Sequence, residues 1–193
     1  LVLEQKIMSE LTLQDNDFSS KTGYINGSKK DKQSITADWM GLQKFIEGVQ
    51  IREVKNVCKR QGGVLTELFR QDWGLDSGVV EQIFQNILQP GEYSGWHAHQ
   101  FTTDRIFVNC GHMRIGLYDA RAESPSFNLV NEFYIGMDRP ALLIVPPGVW
   151  HAVHNNTSEA AALINMVDRA YQYEDPDHWR LPIDTPEIPY KFF

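Results

Sequence analysis

From Val49 onward the sequence runs as short stretches in which polar and apolar residues alternate, each closed by Gly, Pro, Asn or Asp. A period of two marks a strand with one face buried. Ten such stretches follow one another: 49–55 (VQIREVK), 63–70 (GVLTELFR), 80–88 (VEQIFQNIL), 95–100 (GWHAHQ), 104–111 (DRIFVNCG), 113–120 (MRIGLYDA), 131–136 (NEFYIG), 141–146 (ALLIVP), 150–155 (WHAVHN) and 161–171 (AALINMVDRAY). Short strands at this density, punctuated by turn residues, point to an all-β sandwich or barrel.

The flanks read differently. Residues 1–34 form an expected N-terminal extension, with a short amphipathic helix over 1–13 and then a linker rich in Ser, Gly and Lys. Its KKDK run at 29–32 is a solvated loop. A second helix is expected over 36–47, with Trp39, Met40, Leu42 and Phe45 on its apolar side. The tail from Tyr173 holds four of the nine prolines and is expected to lie irregularly over the barrel. The expected fold is thus all-β, an antiparallel jelly-roll β-barrel over 35–193 with short N-terminal helices and a C-terminal covering segment. A chain of 193 residues suits one such domain.

The formal charge of -7 repels phosphate backbones, so no nucleic-acid partner is expected. No apolar run approaches the roughly 20 residues needed to span a bilayer. Two cysteines, Cys58 and Cys110, make no disulfide framework, and the first residues lack the pattern of a signal peptide. A cytoplasmic protein is expected. Edge strands in such folds are often sealed by a second copy, so a homodimer is expected too.

Two segments carry the chemistry. In GEYSGWHAHQFTTDRIFVNCG, His97 and His99 stand two apart, on one face of a strand, and Asp104 opens the next strand. In PPGVWHAVHN, His151 follows a Pro-Pro-Gly turn. Three imidazoles and a carboxylate suit Fe, Mn, Ni, Co or Zn. Trp96 and Trp150, each next to a key histidine, should face away from the site. Tyr93, Tyr118 and Tyr134 read as core or rim residues, and Arg121 with Glu123 as a surface turn. His112 and His154 are expected to be exposed, and His178 to be a structural residue of the tail.

The spacings from Gly91 to Gly111 and from Pro146 to Asn155 resemble the two motifs of the cupin superfamily. That resemblance implies a metal held by His97, His99, Asp104 and His151. Asp104 stands where the metal-binding pattern has glutamate, and Pro140 where motif two has its leading glycine.

The region 46–190 also resembles the dTDP-4-dehydrorhamnose 3,5-epimerase (dTDP-sugar isomerase) family, itself of cupin fold and dimeric. The resemblance is carried by YDARAESPSF, SGWHAH, DRIFV, PPGVWHAV, GGVLTELF and the tail HWRLPIDTPEIPY. It implies proton abstraction next to a sugar ketone, with no cofactor. Carried across residue by residue, His97 is the base, Asp184 its partner and Arg105 the cation on the oxyanion. His151 and Asn165 fall on substrate-contacting positions. Asn165 occupies the place of the family's proton-donating tyrosine, and Ser94 and Gly62 replace two family arginines. Arg114, in MRIGLYDA, would bind an anionic group if it points inward.

Three functions stay open on the sequence: an epimerase or isomerase acting on a keto-sugar, nucleotide-linked or free; a metal-dependent oxygenase or decarboxylase with a 3-His-1-Asp site; or a non-catalytic sugar- or metal-binding cupin. The first two compete for His97, because an imidazole lone pair serves a proton or a metal but not both.

Overall fold

The computed structural model describes residues 23–58 and 62–192. The chain divides into two compact units, Leu1–Gln43 and Lys44–Phe193. The expected helix over 1–13 lies outside the described residues.

All ten alternating stretches form strands, and two further short strands join them. In chain order they are β1 (Gln50–Glu53), β2 (Asn56–Cys58), β3 (Val64–Thr66), β4 (Gln82–Leu88), β5 (Tyr93–Ala98), β6 (Asp104–Cys110), β7 (His112–Asp119), β8 (Val130–Gly136), β9 (Ala141–Val145), β10 (Val149–His154), β11 (Ala161–Val167) and β12 (Trp179–Arg180). One antiparallel sheet has the order β1-β9-β6-β11-β4 and the other β12-β5-β10-β7-β8, with β2 and β3 a separate hairpin. Two such sheets with crossing connections make the jelly roll of the cupins.

The second expected helix is absent. Residues 36–47 make turns, with the Thr36 N–H donating to the Met40 carbonyl, the Met40 N–H donating to Thr36 Oγ1, and Ile35 bridging Gly41. Trp39 takes a left-handed φ of 59° and is 83 % exposed. The apolar residues there do not recur at helical spacing over enough turns, and Gly41 interrupts them.

Inner-face residues from both sheets, among them Ile106, Val108, Ile115, Leu117, Leu143, Val153 and Leu163, build the main core. The tail covers the outside of the second sheet, where Ile188 and Phe192 pack on Trp96, Tyr118 and Ala152. The segment from Leu68 to Val80 packs on Phe107, Leu142, Ile144 and Met166, outside the first sheet. Strand β9 is therefore buried at all five residues, which is why ALLIV has no alternation.

The turn after β7 ties this unit together. Asp119 is fully buried and accepts hydrogen bonds from Arg121, Ser124 and Ser126. Ser126 Oγ and Asn131 Oδ1 in turn accept the backbone N–H groups of Glu47 and Ile46. The expected surface turn at Arg121 is thus a brace.

Candidate active site

Along β5, β6, β10 and β11 the inward positions switch from apolar to polar at His97, Asp104, His151 and Asn165. Together with His99 they line a cavity of 1090 Å³. Backbone register places them: His151 lies directly across from His97 in the β10–β5 pair. That approach requires Gly95, since a Cβ there would stand 2.7 Å from Ala152 Cα and from His151 O. The Gly148 amide donates to the His99 carbonyl at 2.7 Å, so the Pro-Pro-Gly turn is held to the end of β5.

The His97 ring centroid is 4.0 Å from that of His151 and 5.5 Å from that of His99. The ligand nitrogens of these three histidines lie within 4.8 Å of one another. Asp104 Oδ2 stands 3.4 Å from His99 Nε2 and 3.6 Å from His151 Nε2. Asn165 donates its amide N–H to Asp104 Oδ1 at 2.6 Å, while its own Oδ1 accepts the Arg105 backbone N–H.

These bonds settle the tautomers. His99 Nδ1 faces the Asp177 carbonyl and His151 Nδ1 faces the Val149 carbonyl. A carbonyl only accepts, so in both neutral rings Nδ1 carries the proton and Nε2 a lone pair. Two nitrogen lone pairs and a carboxylate oxygen then converge within 3.4–3.6 Å. They repel one another unless a proton or a metal cation lies among them.

His97 differs. Its Nδ1 is buried without a partner. Burial first, and then the charges of His151, His178, His99 and Arg180, hold its imidazole well below the ordinary histidine value. It is a neutral base at neutral pH. Burial also lowers His151, against the pull of Asp104.

Three residues singled out in the sequence lie elsewhere. Arg105 alternates with Asp104 and points outward, where it is fully buried, pairs with Asp76 at 2.7 Å and stacks over Phe69. It cannot reach an oxyanion in the cavity. Asp184 is exposed, is not among the cavity's lining residues and has only its carbonyl bonded, to Lys191. Arg114 also faces out, donating to the Phe192 carbonyl and pairing with Glu132. In each case the resemblance fixed a neighbourhood, whereas strand alternation and the path of the tail fix the direction.

The tail supplies what the sequence reading missed. The His178 ring stands 4.8 Å from both His97 and His99, with Nε2 buried and unpartnered. Burial and then the charge of Arg180 push its pKa down to about 4. Asp177 accepts the backbone N–H groups of Gln100, Phe101 and Thr102 and the Thr102 hydroxyl. Asp175 and Arg180 also line the cavity. The signal that brings them in is the pairing of β12 with β5, two residues long and without alternation. His154 is buried rather than exposed and stacks on Tyr93 at 4.1 Å. Trp96 and Trp150 do face away, into the tail-covered layer.

No family model matches the chain. Its sequence is 33 % identical over 140 residues to the "Probable low-salt glycan biosynthesis epimerase Agl13" of Haloferax volcanii, covering 72 % of this chain and 89 % of that one. The chain belongs to this family of sugar epimerases, the dTDP-4-dehydrorhamnose 3,5-epimerase-like cupins. It is 28 % identical over 144 residues to the Bacillus subtilis "Spore coat polysaccharide biosynthesis protein SpsL", covering 75 % of this chain and 94 % of that protein. Among solved structures, the dTDP sugar isomerase of Desulfovibrio desulfuricans G20 superposes with a TM-score of 0.70 at 26 % identity, over 76 % of this chain and 91 % of the other. The dTDP-4-dehydrorhamnose 3,5-epimerase of Elizabethkingia anophelis has the same fold, with a TM-score of 0.66 at 15 % identity, over 78 % and 84 %. This family member is an enzyme of the epimerase type. Among its described residues no helix is long and apolar enough to cross a membrane.

Proposed function

We propose that the enzyme inverts a carbon next to the ketone of a nucleotide-linked keto-sugar, with His97 as the base. One observation carries the reading: a half-buried, neutral imidazole lines a cavity of 1090 Å³. That volume matches the upper range of small-molecule pockets, about 300–1,000 Å³, and exceeds the needs of a lone hexose. His97 takes the proton, the electron pair moves onto the carbonyl oxygen, and the enolate is reprotonated from its other face. His178 cannot stand on that face, since nothing fits between rings 4.8 Å apart. Asn165, an amide bound to Asp104 and to the Arg105 amide, returns no proton; among the described residues lining the cavity the phenol is that of Tyr171, which we assign that role. Incubation with a dTDP-linked 4-keto-6-deoxyhexose tests this: proton NMR is expected to show new ring couplings from an inverted centre. A spectrum unchanged with every nucleotide-linked keto-sugar would remove the reading.

A second reading rests on the converging lone pairs. His97, His99, His151 and Asp104 fit a divalent Fe, Mn, Ni, Co or Zn ion by donor set. A metal bound there polarises a substrate carbonyl as a Lewis acid. Asp104 reaches both imidazoles despite its short side chain. Metal analysis of the untagged protein separates the readings. Near-stoichiometric metal that is lost in His99→Ala supports the metal site and takes His97 from its role as base. Absence of metal after incubation with all five ions removes the metal reading and leaves His97 as the base.

The quaternary state and location belong to the same proposal. Edge strand β4 turns Ile83 and Ile87 outward, 62 % and 55 % exposed, and a second copy would cover them. Light scattering is expected to give twice the chain mass. Cys110 is free and exposed, in keeping with a reducing cytoplasm.

A further inference from the structure

We infer that Arg180 is a catalytic residue, the cation that steadies the enolate oxygen formed when His97 removes its proton. The inference rests on the epimerase reading above. A carbanion next to a ketone is accessible only if a donor or cation meets the charge arriving on oxygen. The residue that the resemblance assigns to that task, Arg105, is buried on the outer side of β6 against Asp76. The cavity must obtain its cation elsewhere.

Strand β12 provides it. Arg180 lies directly across from His97 in the β12–β5 pair. Opposed residues of an antiparallel pair share a face, with Cβ atoms about 4.5–5.5 Å apart. Arg180 therefore stands on the inward side with the base, and it lines the same cavity. Its guanidinium is uncommitted. Arg70, Arg105, Arg114, Arg121 and Arg139 each hold an acidic partner. Among the described residues no carboxylate pairs with Arg180, and the nearby Asp177 spends its oxygens on three backbone N–H groups and a hydroxyl. The other cavity arginine, Arg169, donates Nε to the Phe101 carbonyl and lies over the Phe101 ring, held at the loop. Among the described residues, Arg180 alone combines freedom with a place beside the base.

The step balances without a redox partner. The C–H bond breaks, its proton goes to His97, its electron pair becomes the enolate, and guanidinium N–H donors of Arg180 meet the oxygen. Reprotonation restores the ketone.

The test is solvent deuterium incorporation into a dTDP-linked 4-keto-6-deoxyhexose by the full chain, before and after chelation, in wild type, Arg180→Ala and Arg180→Lys. The expected result is a fall in kcat of about 10²–10³ in Arg180→Ala with KM little changed, and partial recovery in Arg180→Lys. Circular dichroism and thermal midpoint should match wild type, since the side chain is exposed at the strand's edge. Wild-type exchange with an unaltered Arg180→Ala rate overturns the role of Arg180 and keeps the epimerase. A loss confined to KM reassigns Arg180 to ground-state binding and overturns the inference. Absence of exchange in wild type removes the epimerase reading, and the inference with it.

Discussion

His97 and Arg105 differ in one respect that decides their roles, namely the side of the sheet to which alternation sends them. His97 points in, and its low proton affinity has a measurable consequence. The base should stay competent well below pH 6.5, so the acid limb of the exchange rate is expected to fall at a pH far under that of free histidine. The same shift acts on stability. A histidine whose folded pKa lies below its unfolded value disfavours the folded state as pH falls through the unfolded pKa. Arg105 points out, and its loss should act on folding alone. Arg105→Ala leaves Asp76 without its cation and is expected to cost about 3–5 kcal/mol, read from denaturant unfolding, with exchange per folded molecule retained. An active-site role for Arg105 would instead abolish exchange at unchanged stability. Asp119 adds a third case. Burial raises its pKa, but the hydrogen bonds from Arg121, Ser124 and Ser126 prevail and hold the carboxyl well below its usual range. Its contribution is complete above the unfolded value near 3.9 and declines as pH falls below it. Asp119→Asn is expected to lower the thermal midpoint at pH 7 and to flatten its fall in acid.

Strands and the tail respond to different tests. Gly95 lets β5 approach β10, so Gly95→Ala should force the strands apart. Overpacking of this kind costs about 1–3 kcal/mol, and the separation of His97 from His151 should lower exchange as well. Asp177 pins the tail to the loop after β5. In Asp177→Ala the amides of Gln100, Phe101 and Thr102 are expected to lose protection in hydrogen-exchange mass spectrometry, and catalysis to fall as His178 and Arg180 loosen. The strands of the jelly roll were readable because period-two alternation is a local property, and even buried β9 was marked by its turns. The segment 36–47 has the apolar content of a helix but not its period, and so forms turns. Strands β2 and β12, of three and two residues, are too short to carry a period at all. For that reason the histidine pair and Asp104 were legible, while His178, Asp177 and Arg180 were not. Their place depends on where a proline-rich tail returns.

At the scale of the molecule, the two sheets close over an apolar core and leave a polar cavity whose walls come from both sheets and whose rim comes from the tail. The family supplies the type of chemistry, and the residues of this chain distribute it differently. In the proposed mechanism the cation stands on β12 rather than β6, Asn165 takes the place of a phenol, and an imidazole set with a carboxylate gathers beside the base. The claim that joins these points is that His97 removes a proton next to a ketone. Its most direct test is mass spectrometry of a dTDP-linked 4-keto-6-deoxyhexose after incubation in D₂O with chelator-treated wild type and with His97→Asn. A mass gain from deuterium at carbon in wild type, lost by about 10²-fold or more in His97→Asn, is the predicted result. Equal exchange by the two proteins, or exchange that returns only with added metal, would contradict it.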